Sequence, residues 1–251
     1  MKEYTRKRLK QDKWSPEIIS VKRKEEMGDF VSHESLYKWI WHRKLSNRQD
    51  SRGDFKLYTL LRHGHRHRKR GRRKDCRGQI SNRVFIQDRP AIVEQRERLG
   101  DFEVDLMMGK DHQGALVVMT DRATLKTELV KVKSKRTKVV SRAIKIALAP
   151  YKEVLQTLTF DNDQAFALHE GLARDLGVET YFTRPYTSQD KGTVENRIGV
   201  IRRFYPKKTD LTMVTNKEVK AVQEKINDRP VRKFNYKSSN QIFSEKIAVI
   251  T

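Results

Sequence analysis

Gly100-Asp101-Phe102-Glu103-Val104-Asp105-Leu106-Met107-Met108-Gly109 alternates in polarity between two glycines, and residues 102–108 therefore read as a β-strand. Working outward, 115–121 and 128–132 read as two further strands of an antiparallel meander. Residues 137–148 place Val140, Ile144 and Leu148 on one helix face before Pro150 stops the pattern. A strand is expected over 154–160, a helix over 165–176 with Gly177 as its C-cap, and a fifth strand over 179–182. Two more helices follow, 193–204 ahead of Pro206 and 216–227 ahead of Arg229-Pro230.

Three strands followed by alternating helices and strands are the order of an α/β, ribonuclease-H-like mixed five-stranded sheet flanked by helices. In that order the first and fourth strands lie side by side. Asp105 and Asp161 then converge although 56 positions apart, and Glu195, 34 positions further on, points in from a helix beside the sheet. Asp105 sits between Val104 and Leu106 on a strand expected at the centre, where an acid is costly unless it binds something. Asp161 caps the apolar run 155–160, and Glu195 opens the helical pattern Thr193-Val194-Glu195-Asn196-Arg197. Three such carboxylates suit two magnesium ions, which prefer hard oxygen donors to imidazole or thiolate, and two-metal sites perform phosphoryl transfer on nucleic-acid backbones. A helix start also favours an acid through its macrodipole, which by itself accounts for Glu195. Glu103, Asp163 and Asp190 are acids close enough to be mistaken for members of the set.

The 251 residues include 55 Lys+Arg against 32 Asp+Glu, a net charge of +23, which points to a polyanionic partner because binding releases counterions from phosphates. Residues 1–100 hold 28 of the basic residues against 13 acids, so +15 lies there and +8 in the remainder. The single cysteine, Cys76, excludes an internal disulfide and a zinc site of Cys-x-x-Cys type, and fits a reducing cytosol. No apolar run approaches the ~18 residues of a membrane span, and the charged start Met1-Lys2-Glu3-Tyr4-Thr5-Arg6 lacks the apolar stretch of a signal peptide.

Residues 1–45 are expected to form a small helix-turn-helix domain. Ser15-Pro16-Glu17 supplies an N-cap, a first-position proline and a first-turn acid, Gly28 marks a stop, and a second helix from Ser32 turns Leu36, Trp39 and Ile40 inward. Such a pair offers its second helix to the major groove, which directs His33, Glu34, Ser35 and Lys38 toward DNA and leaves Trp39 and Trp41 to pack. Residues 46–90 read as a basic linker: the run 62–74 is too charged and glycine-broken for a core, and Arg68, Arg70, Arg72 and Arg73 are its candidate DNA contacts. A solvated tether has the same composition. His63, His65 and His67 do not make a metal set, since cations flank them and no cysteine or acid completes it. Residues 91–251 form the expected catalytic core.

The chain resembles the DDE transposases of the insertion sequence 30 family, whose core is similar to retroviral-type integrases. The resemblance is carried by Trp14-Ser15-Pro16-Glu17, Val31-Ser32-His33-Glu34-Ser35-Leu36-Tyr37, Ile80-Ser81-Asn82-Arg83-Val84 and Arg89-Pro90-Ala91-Ile92-Val93-Glu94. It continues through Gly100-Asp101-Phe102-Glu103-Val104-Asp105 and Phe160-Asp161-Asn162, and is most specific over 192–210, which begins Gly192-Thr193-Val194-Glu195-Asn196-Arg197. Asn227-Asp228-Arg229-Pro230 looks like the family's closing signature. The resemblance implies that Asp105, Asp161 and Glu195 are the catalytic, metal-holding acids. It further implies two Mg2+ ions, with Mn2+ as a substitute, and an enzyme that cuts DNA at the ends of a mobile insertion element and joins the freed 3′-hydroxyls to target DNA. The expected partners are element-end and target DNA and further copies of the chain, with no membrane partner; the expected location is the bacterial cytoplasm, at the nucleoid.

Two departures are local: Phe102-Glu103-Val104-Asp105 replaces the usual Trp-Glu-Gly-Asp, and Asn162-Asp163-Gln164-Ala165-Phe166 lacks the glycine and glutamate of Asn-Gly-x-Glu-Phe. Members are commonly longer, with an additional N-terminal helix-turn-helix, so a reduced end-recognition apparatus is expected as well. Lys191, Asn196, Arg202 and Arg203 are candidate DNA contacts beside the acids, the two arginines recurring seven and eight residues after Glu195 on related helix faces. Tyr186 is expected to position a loop, since no set of arginines and histidines supports a covalent tyrosine mechanism. Two other functions stay open on the sequence: a truncated, non-catalytic DNA-binding copy acting as a repressor, and a ribonuclease-H-like nuclease that hydrolyses without joining.

Overall fold

The chain divides into two units, residues 1–72 with 229–238 and residues 73–228 with 239–251. The computed structural model describes residues 1–28, 31–45, 54–61, 80–184 and 191–250. In the first unit, α1 (Lys2–Lys7) runs into a π-helical turn, Arg8–Asp12, followed by α2 (Pro16–Met27) and α3 (His33–Leu45). The expected boundaries hold for physical reasons. Ser15 is extended with Pro16 at the first helical position, and Gly28 closes α2 with φ 72°, a left-handed conformation that glycine adopts without cost. Ser32 Oγ accepts from Ser35 N at 3.2 Å and caps α3.

Leu9, Ile19, Leu36, Ile40 and Leu57 form the core of this unit. Leu9 comes from the π-helical turn and Leu57 from a 3-10 turn, Asp54–Leu60, within the stretch expected to be linker. Two short helices alone bury too little, and these flanking segments complete the core. Asp54, fully buried, is held by Arg6 through two bonds of 2.7 Å. One packing expectation is corrected: Trp41 is 38% exposed and stacks on Tyr58, with Lys44 over its ring, while Trp39 is half-buried.

The second unit is the ribonuclease-H-like sheet. β1 (Asp101–Met108), β2 (Ala115–Asp121) and β3 (Thr127–Val132) make the antiparallel meander, and β4 (Thr157–Phe160) and β5 (Glu179–Phe182) add in parallel beyond β1, giving the order β3-β2-β1-β4-β5. A short α4 (Ala91–Gln95) precedes the sheet. On one face α5 (Thr137–Leu148) and α6 (His169–Leu176) cover Phe102, Val104, Val117 and Phe160; on the other α7 (Gly192–Ile201) and α8 (Asn216–Asn227) cover Met107, Leu116, Val118 and Leu129. Alternation along β1 and β2 divides the residues between the two faces. The last helix, α9 (Ser239–Ile250), is an element the sequence pattern does not announce, and it meets Tyr151 through Phe243, ring centroids 5.5 Å apart.

Gly100 marks where β1 and β4 begin to pair. Its φ is +93°, and an added Cβ would stand 1.7 Å from the Val154 carbonyl oxygen, so no side chain fits. Its own carbonyl accepts from Gln156 N at 2.9 Å. The fourth strand is shorter than expected because Tyr151 O captures the N–H groups of Val154 and Leu155 in a turn. Residues 80–90, expected to be linker, belong to this unit: Ile80 is in its core, and Val84 O accepts from Phe182 N at 2.8 Å. At the opposite edge, α8 covers β3 with side-chain amides. Asn227 Oδ1 accepts from Thr127 N at 2.9 Å, its Nδ2 donates to Thr127 O at 2.8 Å, and Gln223 Oε1 accepts from Leu129 N at 2.9 Å. An edge strand with its backbone groups satisfied offers less of a template for pairing with another chain. Among the described residues no helix is long and apolar enough to cross a membrane.

Candidate active site

The same alternation that buries Phe102 and Val104 beneath α5 and α6 turns Glu103 and Asp105 to the α7 side. Pairing of β1 with β4 sets Glu103 opposite Thr159, and two residues further along both chains stand Asp105 and Asp161. The expected convergence of these two acids is therefore a consequence of parallel register.

A cation already joins them. Lys191 Nζ lies 3.1 Å from Asp105 Oδ2 and 3.8 Å from Asp161 Oδ2, and donates to the Val104 carbonyl oxygen at 3.4 Å. Each aspartate is oriented by its other oxygen: Leu106 N donates to Asp105 Oδ1 at 2.7 Å, and Asp163 N to Asp161 Oδ1 at 3.2 Å. The Lys191 side chain is only 6% exposed, an enclosure that a charged amine tolerates because the two carboxylates pair with it. Burial pushes the Asp161 carboxyl above its ordinary pKa and the like charge of Asp105 adds to the effect, while Lys191 pulls the other way.

Glu195 stands exposed in the first turn of α7, four residues after Lys191, which is that helix's N-cap residue. Among the described residues no three His, Cys, Asp or Glu side chains are gathered so as to hold a metal ion. The structure thus brings Asp105 and Asp161 together through Lys191 and leaves Glu195 on the adjoining helix start. The donor chemistry nonetheless fits a divalent ion: two carboxylates held by backbone N–H groups turn one oxygen each toward a point where positive charge already sits.

Helix α7 is bolted to the sheet. Lys191 gives it no side-chain cap; instead Glu103, fully buried on β1, accepts from Val194 N at 2.8 Å. The other Glu103 oxygen accepts from Arg122 Nη1 at 2.9 Å, and Arg122, 1% exposed, also pairs with Glu94 at 3.0 Å. Arg89 joins this network through Glu94 and through Thr159 Oγ1 at 2.7 Å. Glu103, which by sequence could be mistaken for a site acid, thus spends one oxygen on α7 and the other on Arg122. The signal that finds this is strand alternation, which puts it on the Asp105 face. Further along α7, Arg197 Nη2 donates to Leu125 O at 2.6 Å and to Ser239 Oγ.

Arg202, just past the end of α7, donates to Met108 O at 2.9 Å, so part of its guanidinium is used within the fold; Arg203 is half-buried and Asn196 exposed. Asp163 accepts from Ala165 N at 2.9 Å and pairs with Lys135 at 3.3 Å, away from the shared cation. On α3, His33, Glu34, Ser35 and Lys38 are all exposed, and the Ser35 hydroxyl lies 3.0 Å from that of Ser32. Arg68, Arg70, Arg72, Arg73, Tyr186 and Asp190 lie outside the described residues.

Comparison with known proteins gives consistent relatives. The chain is 39% identical over 234 residues to the transposase for insertion sequence element IS4351 of Bacteroides fragilis, covering 93% of this chain and 70% of that protein. It is 32% identical over 244 residues to the transposase for IS1086 of Cupriavidus metallidurans, covering 94% and 70%. With transposase InsI of IS30A from Escherichia coli K12 the identity is 31% over 172 residues, 68% of this chain and 44% of that one. No family model matches the chain. Among solved structures, it is similar to a simian T-cell lymphotropic virus intasome in complex with the PP2A regulatory subunit B56 gamma, at TM-score 0.47 and 14% identity over 83% of this chain and 72% of that one. The catalytic core of BIV integrase gives TM-score 0.44 and 13% identity over 60% and 97%.

Proposed function

The chain belongs to the insertion sequence 30 family of transposases, and from that premise we propose that it is a DDE enzyme that cuts DNA at the ends of its element and joins the 3′-hydroxyls to target DNA. The observation that carries this reading is the pair Asp105 and Asp161 converging from adjacent parallel strands onto one positive charge. Glu195, on the helix whose start is fixed to β1, is the third acid of the reading. Bound between these residues, Mg2+ or Mn2+ supplies a lowered pKa for an attacking water or 3′-hydroxyl and charge stabilisation for the leaving oxygen.

The chain's own residues do the rest. Asp105 and Asp161 hold the carboxylate oxygens in place through Leu106 and Asp163 N–H groups, and Glu103 with Arg122 keeps α7 from drifting off β1. Asn196 on α7 and Arg202 and Arg203 just past its end are the groups we assign to flanking phosphates. The helix-turn-helix, presenting His33, Ser35 and Lys38, and the arginines at 68, 70, 72 and 73 supply the grip on DNA. We place the active protein in the bacterial cytoplasm at the nucleoid, as an oligomer on paired element ends.

The test gives purified protein a labelled duplex carrying element ends, a target plasmid and Mg2+, beside Asp105→Asn. Joined product from the natural chain and none from the variant is the expected result. Equal product from the variant removes the assigned site, nicking without joining supports a plain nuclease, and binding without product supports a non-catalytic DNA-binding copy.

A further inference from the structure

We propose that Lys191 is a resident cation of the metal-free site, its ammonium holding the place between Asp105 and Asp161 and leaving when a divalent ion enters. The inference rests on the reading of those two aspartates as metal-holding residues. Two carboxylates enclosed side by side repel each other, and a positive charge between them offsets that repulsion. Lys191 meets that need from within the chain: it reaches both Oδ2 atoms, the two oxygens not engaged by backbone N–H groups, and adds a bond to Val104 O.

Lysine suits an exchangeable role. Its ammonium is a compact point charge on a flexible four-carbon stem, so the head can withdraw by rotation about that stem. The backbone need not follow, because the first turn of α7 is held independently by the Glu103 bond to Val194 N. Withdrawal of Lys191 therefore leaves Glu195, one turn further along, where it stands. The consequence is competition: a divalent ion binds only the fraction of molecules from which the ammonium has withdrawn, and its apparent affinity is reduced by that fraction. Once released, the ammonium remains beside the site as a partner for a DNA phosphate, which gives one residue two successive anionic partners.

Calorimetric titration of the full chain with Mn2+, without DNA, tests this. If the ammonium occupies the site about 90% of the time, Lys191→Gln binds Mn2+ about tenfold tighter than the natural chain, while Lys191→Arg, which keeps a cation there, stays close to it. Affinity in Lys191→Gln equal to or weaker than the natural chain overturns the proposal. Adding Asp105→Asn to Lys191→Gln is expected to remove the tight binding; if the double variant binds as tightly as Lys191→Gln, the aspartate reading itself has failed. A measurement on the natural chain stands apart from any folding defect in the variants: acylation of the Lys191 amine, quantified by mass spectrometry, rises severalfold on adding Mn2+. An unchanged labelling rate contradicts the exchange.

Discussion

Asp105 and Glu103, two residues apart on one strand face, carry opposite assignments, and single substitutions separate them. Asp105 has an oxygen turned to a shared cation, so Asp105→Asn is expected to abolish strand-transfer product while moving the thermal unfolding midpoint by only a few degrees. Asp161→Asn should behave alike. Glu103 has no such spare oxygen. Its removal leaves buried Arg122 with only the exposed Glu94 as partner and Val194 N–H without an acceptor, and Glu103→Ala is expected to cost about 3 kcal/mol in denaturant unfolding. Replacing the pair with Glu103→Leu and Arg122→Met should recover much of that stability, because well-packed apolar residues often match a buried ion pair. Activity should not return, since Val194 N–H at the start of α7 has lost its acceptor. Full activity in the stable double variant would show that Glu103 matters only to folding.

Elements explain what was legible in the sequence. The strands at 115–121 and 179–182 and the helices at 137–148 and 216–227 were readable to the residue because alternation or one-face periodicity ends there at a turn, proline or glycine. The convergence of Asp105 and Asp161 followed from strand order. Lys191 between them did not, because a lysine before a helix start looks the same whether it faces solvent or two acids. Leu9 and Leu57 go unannounced for a related reason: single apolar residues in short polar segments show their partners only in three dimensions. The Asn227-Asp228-Arg229-Pro230 signature gains a physical role, since Asn227 covers the Thr127 backbone at the edge of the sheet. Asn227→Ala leaves a buried N–H and C=O unpaired and is expected to destabilise by about 2 kcal/mol or more. Thr215→Ala at the capping box that starts α8 should cost about 1 kcal/mol. Denaturant unfolding of both variants checks the order, and a larger loss at Thr215 would count against the edge-covering role.

At the scale of the molecule, charge and pH give separate handles on the two units. Lys38→Ala on α3 is expected to weaken DNA binding and to reduce the slope of log affinity against log salt by about 1 if it contacts a phosphate. An unchanged slope would remove Lys38 from the interface. The helical unit should also lose stability in acid. The paired bonds from Arg6 hold the Asp54 carboxyl below its ordinary pKa, outweighing its burial. The unfolded chain then binds more protons than the folded one, so this stability is fully present above the unfolded value of about 3.9 and is lost as pH falls through the folded one. Asp54→Asn should flatten that acid limb of the stability profile. In the sheet unit, the decisive matter is where a divalent ion goes. Crystals of the chain soaked in Mn2+ and measured for anomalous scattering are expected to show a peak at the Asp105 and Asp161 carboxylates with Glu195 turned toward it and Lys191 withdrawn. A peak elsewhere, or none at those carboxylates with Lys191 still between them at saturating Mn2+, would contradict the assignment of these acids as the metal-holding centre.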